Sequence, residues 1–135
     1  MNKITINQKE IEFYEEEGIV FSNKIFIEIQ IDELHFKEMD AFEGGAIYFH
    51  ELKKSAKKTG EYLIFTCICG IADDAGWDKI NVVHSKNEIY WEFERNGSQK
   101  FKFDRIEYIE QVNKCEKLLN LSKFYLAIEN VVFPE

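Results

Sequence analysis

Two thiols, one imidazole and a crowded acidic loop are the residues whose types and spacing could do chemistry in this chain. Cys67 and Cys69 stand two apart in the run YLIFTCIC from Tyr62 to Cys69, and on an extended strand that spacing projects both thiols to one face. With His84 on a following strand they would supply three of the four ligands of a structural zinc site. The spacing speaks against a metal, because such zinc is held by C-x-x-C turns that fold back on one ion. The third cysteine, Cys115, falls on an apolar helical stripe. The flanks Phe65, Ile68 and Ile71 predict burial, which raises a thiol's pKa and disfavours nucleophilic catalysis. This reading assigns the pair to the core, with no catalytic residue, no metal and no cofactor. The alternative is a small metal-binding or cysteine-dependent enzyme using Cys67, Cys69 and His84.

Asp73, Asp74 and Asp78 crowd the segment after Ile71 together with Trp77 and Gly76. EF-hand spacing is absent, so calcium is not indicated. Short acidic side chains in a loop bond nearby backbone amides, and that is the plain structural reading. The functional one is a partner-binding loop, in which Trp77 supplies an aromatic anchor inside an acidic setting suited to a basic protein surface. His35 and His50 have no convincing partner in sequence. There is no phosphate-cradling glycine motif, no nucleophile elbow and no H-E-x-x-H.

Charge narrows the partner further. The chain has 135 residues and a net charge of −8, and residues 1–45 carry eleven carboxylates against four lysines, a local balance of −7. The other ninety hold fourteen acids against thirteen bases. Such an N-terminal third repels a phosphate backbone and attracts a basic protein, with Glu15, Glu16 and Glu17 as its densest point. Direct nucleic-acid binding is disfavoured; these acids are otherwise read as the solvated faces of strands. No apolar segment approaches the roughly 18 residues of a membrane span, and no charged start precedes an apolar run. Three cysteines do not make a secreted disulfide framework, so a soluble protein of the cytoplasm, beginning at or near Met1, is expected.

The elements that must position these residues read as one α+β domain, 1–135, built on an antiparallel sheet with two main helices covering one face. An apolar fraction of 45% is enough for a single core. Ile4 and Ile6, then Ile11 and Phe13, alternate with polar residues on two short strands, with a hairpin turn at Asn7-Gln8-Lys9. Glu15-Glu16-Glu17-Gly18 reads as a turn or exposed edge. Ile25, Ile27, Ile29 and Ile31 give the clearest period-2 pattern and predict a core-facing strand. The stretch from Asp32 to Glu43 could continue that strand or form a loop. Tyr48, Phe49, Leu52 and Ala56 predict a helix over 46–58 that stops before Gly60. Tyr62–Cys69 predicts a central strand buried on both faces. Ile71 to Trp77 reads as a loop, and Lys79–His84 with Glu88–Glu94 as a hairpin. Asn96-Gly97 marks a turn before a strand over Gln99–Phe103. Asp104 as N-cap, with Glu107 three residues on, opens a helix over 104–121. The tail from Ser122 to Pro134 suits a short helix or a terminal strand equally, docked in either case.

The segment FTCICGIADDAGW, preceded by an amphipathic helix and followed by IYWEF and FDRIEYIEQV, resembles a group of small bacterial proteins with a C-x-C-G-x-x-x-C-x-G core. The likeness covers about the C-terminal two-thirds of the chain. Asp74 stands where that pattern has its third cysteine, a departure that argues against a shared cysteine-based metal site. In size, charge and general make-up the chain also resembles immunity proteins of contact-dependent growth inhibition and related polymorphic toxin systems. That resemblance implies a cytoplasmic protein that binds and neutralises the C-terminal domain of a cognate toxin, often a nuclease, without catalysis of its own. A structural adaptor domain is the remaining reading.

Overall fold

Thirteen residues form a single first strand, β1 (Ile4–Glu16), which pairs antiparallel along its length with β2 (Ile19–Ile31). The expected turn at Asn7-Gln8-Lys9 is not formed. The chain reverses between Glu16 and Ile19, where Gly18 takes a φ of 78° that glycine enters without a Cβ penalty. Ile4 and Ile6 face the core and Ile11 lies on the opposite face of the same strand; beyond the break in pairing at Glu12 and Asn23 the alternation shifts, and Phe13 stands exposed. The structure is a computed structural model and describes residues 1–16, 18–42, 45–68 and 77–129.

The isoleucine face of β2 is buried as expected, with Ile25, Ile27, Ile29 and Ile31 at 4% exposure or less. Two short strands complete this sheet, both on the edge of β2 away from β1: β3 (Leu34–His35), antiparallel to the end of β2, and a parallel strand, Tyr125–Leu126. Within the described part of the tail, to Glu129, this short strand is formed, and the rest lies outside the described residues. The stretch after Asp32 turns back through β3 into two 3-10 turns that bury Phe36 and Phe42. Asp32 ties the sheet's end together, its carboxylate accepting the Lys3 N–H at 2.8 Å and the Asn2 amide at 2.7 Å. These bonds hold its carboxyl below the usual carboxylate range.

The apolar run is buried over its described residues, Tyr62 to Ile68, at 7% exposure or less, yet it is not one central strand; Cys69 lies outside the described residues. The Ile64 N–H donates to the Tyr62 carbonyl at 3.0 Å, a tight turn that splits the run in two. Its first part, Gly60–Tyr62, is the edge of a second sheet. Its second part, Phe65–Cys67, pairs with Gly45–Ile47 as a separate ribbon. In chain order these are β4 (Gly45–Ile47), β5 (Gly60–Tyr62) and β6 (Phe65–Cys67). The second sheet runs β5, β7 (Ile80–His84), β8 (Glu88–Glu94), β9 (Ser98–Asp104), all antiparallel. The expected hairpin is β7–β8, and Asn96 and Gly97 both take positive φ, 54° and 98°, at the next reversal. The Tyr125–Leu126 strand is β10.

Helix α1 (Phe49–Ser55) is shorter than the predicted 46–58, because Ala46 and Ile47 are extended in β4. The second helix, α2 (Arg105–Leu121), has its expected bounds. Asp104 caps it by accepting the Glu107 N–H at 2.9 Å, and Tyr108, Val112 and Cys115 face inward. It packs across β1, β8 and β9, spanning both large sheets. Asn2 joins those sheets directly, its N–H donating to the Lys102 carbonyl at 2.6 Å. The helices are linked by the Ser55 and Tyr108 hydroxyls at 2.6 Å and a Lys53–Glu116 ion pair. The result is an α+β domain of mostly antiparallel sheets, with Phe65 and Trp91 edge to face at its centre, 6.0 Å between ring centroids. No described helix is long and apolar enough to cross a membrane.

Candidate partner-binding surface

Trp77, read from sequence as an exposed anchor, belongs to the core. It is 4% exposed, its ring lies parallel to Phe65 at 6.2 Å, and the Arg95 guanidinium covers it at 3.5 Å from the centroid. The acidic residues around it in sequence imply a solvated loop, but the space is made by Gly45 in β4. A Cβ placed on Gly45 would sit 2.7 Å from the indole edge. Gly45→Ala is therefore expected to cost about 1–3 kcal/mol through overpacking, read as a lower urea midpoint with an unchanged slope. A midpoint equal to that of the parent protein would show that the ring yields freely.

Asp78 is exposed and accepts the N–H of Lys79 at 2.8 Å, which is local turn chemistry. Asp73, Asp74 and Glu17 lie outside the described residues. Beside Trp77 a cleft of about 250 Å³ is lined by Phe42 and Phe65, whose rings stack on one another, and by Glu61, Asp78, Glu92 and Glu94, with Arg95 already placed over the indole.

Glu15 and Glu16 end β1 at the tip of the long hairpin. Glu15 is exposed and opposite Val20, and Glu16 accepts the Tyr14 hydroxyl at 2.6 Å, a bond that raises the Tyr14 phenol pKa. On one side of this ribbon Tyr14, Phe21 and Phe26 form an edge-to-face cluster with centroids 5.1 and 5.5 Å apart. On the other, Phe13 is 66% exposed and Val20 55% exposed, diagonal neighbours across the two strands. Glu10, Glu12 and Glu15 are exposed around them. Tyr125, on the far edge of β2, is 70% exposed with the Lys24 ammonium 5.8 Å from its ring centroid. The ladder is unpaired only where Glu12 faces Asn23, which takes a φ of 53°. The hairpin tip thus joins an exposed aromatic ring to an acidic rim, the combination that sequence placed on the loop around Trp77. Phe13 was missed, because the break in pairing at Asn23 beside it is not part of the apolar alternation that the sequence shows.

Among the described residues, Cys67, Cys115 and His84 stand in separate surroundings. Cys67 is buried in β6, and Cys69 lies outside the described residues. His84 donates through Nε2 to the Ser55 carbonyl at 2.7 Å and turns Nδ1 to the Arg105 guanidinium at 3.5 Å. Cys115 is buried with its Sγ 3.7 Å from Gln8 Oε1, and burial pushes its thiol up to about 12, so it stays protonated at neutral pH. Among the described residues no group of three His, Cys, Asp or Glu side chains could hold a metal ion.

Compared with protein-family models, with curated proteins and with solved structures, the chain matches none of them.

Proposed function

We propose that this chain is a non-catalytic binding protein of the immunity type, which captures a basic toxin domain in the bacterial cytoplasm and blocks it. The observation that carries the reading is the hairpin tip, where Phe13 and Val20 stand exposed among carboxylates of one sign. Charge of one sign speeds encounter with an oppositely charged protein, and a large exposed ring offers the water-excluding contact that holds it. A nuclease is the kind of toxin that fits, since a protein that grips a phosphate backbone must itself be basic. The neutral Cys115 thiol, the buried Cys67 and the engaged His84 give no support to the cysteine-enzyme alternative.

The test is protection. The domain encoded beside this chain's gene is expressed in a sensitive host with and without the chain. Growth restored by the parent protein but not by Phe13→Asp, with both folded, is the expected result. A neighbouring domain that is harmless alone, or protection that is indifferent to every acidic and aromatic residue of the tip, overturns the reading.

A further inference from the structure

The meander sheet opens at one end. Its β7–β8 ladder stops at Asn81 and Glu92, and the residues that would carry it further, Ile80 and Phe93, line the cleft beside Trp77 instead. Glu61, Asn81 and Glu92 are in register across three strands, so two exposed carboxylates flank one amide on the face away from the buried Val82 and Trp91. Glu94 lies on that face two residues beyond Glu92. With Asp78 they give the cleft four carboxylates against the cations of Lys79 and Arg95. Among the described residues Glu61, Glu92 and Glu94 have no ion-pair partner. The inner wall is aromatic, formed by Phe42, Phe65, Phe93 and Trp77. Two features of Trp77 point to a ligand. Its ring already takes the Arg95 guanidinium at 3.5 Å from the centroid, so a cation is accepted there. Its Nε1, in a residue only 4% exposed, is a buried donor with no hydrogen-bond partner. Such a donor is costly to leave unpaired and calls for an acceptor.

We propose that this cleft is a binding site for a guanidinium ligand with a carbonyl beside its cation, the chemistry of an arginine whose own carboxyl is masked as an amide. The incoming guanidinium takes the indole face from Arg95 and meets the carboxylates of Glu61, Glu92 and Glu94, while the ligand's carbonyl accepts the Trp77 N–H that this exchange uncovers. A guanidinium fits better than an ammonium, because its plane stacks on an aromatic ring while its edge pairs with carboxylates. A free α-carboxylate is disfavoured by the four already present. The volume of about 250 Å³ suits a group the size of one residue. The site shares no residue with the hairpin tip and does not rest on the toxin reading.

The probe is Nα-acetyl-arginine amide, titrated into the full chain beside Nα-acetyl-glutamine amide and beside a capped tripeptide with arginine between two glycines. The indole N–H signals of the two tryptophans are followed by NMR. Trp91 is the internal reference, because its N–H is held by the Tyr108 hydroxyl at 3.1 Å. With the arginine amide the Trp77 signal is expected to shift while that of Trp91 stays, and the affinity should fall as salt rises. The glutamine amide should bind about tenfold more weakly. Glu92→Gln, at an exposed position, should weaken the arginine amide about two- to fivefold. Glu110→Gln on α2 should leave its affinity unchanged, and Arg95→Gln, which removes the resident cation, should raise it. Equal affinity of amide and tripeptide assigns the site to a small molecule, and tighter binding of the tripeptide assigns it to a segment of a protein; either supports the proposal. No shift at Trp77, equal binding of the glutamine amide, a loss with Glu110→Gln as large as with Glu92→Gln, or weaker binding by Arg95→Gln overturns it. The titration uses this chain alone, so its outcome is independent of whether the neighbouring domain is toxic.

Discussion

Trp77→Ala is expected to remove about 3–5 kcal/mol of stability, the cost of emptying the site of a buried indole. For a chain of this length that lowers Tm by roughly 10 °C or more. Phe65 loses a neighbouring ring and Arg95 the face that it covers at 3.5 Å. Any accompanying loss of partner binding should follow the folded fraction and vanish at temperatures where the variant is fully folded. A Tm within a degree or two of the parent protein, with binding lost, would return Trp77 to the surface role that its sequence context implies. The pairing with Gly45→Ala sharpens the test. The added methyl meets only the indole edge and the Phe42 carbonyl at close range, so its cost should nearly disappear in the Trp77→Ala background.

The second large effect lies in a buried chain of hydroxyls. Ser55 Oγ donates to the Leu52 carbonyl at 2.5 Å, which leaves the Tyr108 hydroxyl to donate to Ser55 at 2.6 Å and to accept the Trp91 indole N–H at 3.1 Å. Each donor has one acceptor. Tyr108→Phe strands the Trp91 N–H inside the core and is expected to cost about 1–3 kcal/mol. Ser55→Ala acts on the same chain, so the double variant should lose less than the sum of the two. Burial also raises the Tyr108 phenol from its ordinary 10.0. The unfolded chain therefore gives up that proton first as pH passes about 10, and the stability held below that pH declines above it. Tyr108→Phe should flatten that alkaline decline in urea midpoints measured as pH is raised. An unchanged profile would remove Tyr108 as its source.

What the sequence disclosed follows from how far each pattern reaches along the chain. Ile25 to Ile31, the Asp104 cap and Asn96-Gly97 are local devices whose meaning is complete within a few residues, and each forms where it was read. The errors come where distant partners decide. Tyr62 to Ile68 was legible as buried but not as divided, since the split depends on β4 and β7 offering separate edges to its two halves. Ala46 and Ile47 are sound helix-stripe residues that a strand partner, Phe65–Cys67, draws out straight. Trp77 is inside because Gly45, thirty-two positions earlier, has no side chain to refuse it. At the hairpin tip the acids Glu15 and Glu16 stand out on counting charge, whereas Phe13, read only as one side of a short alternating strand, is exposed beside the break in pairing at Asn23.

The Asn2–Lys102 contact has a consequence for the order of assembly. The β1–β2 hairpin and the β7–β8–β9 meander each close over short stretches of chain, so each can form within microseconds of collapse. Asn2 with Lys102, and Ile6 with Gln111, join residues 100 and 105 positions apart. Those contacts carry the loop-closure entropy of nearly the whole chain, so docking of the hairpin and the meander along that seam is expected to be slower than the closing of either.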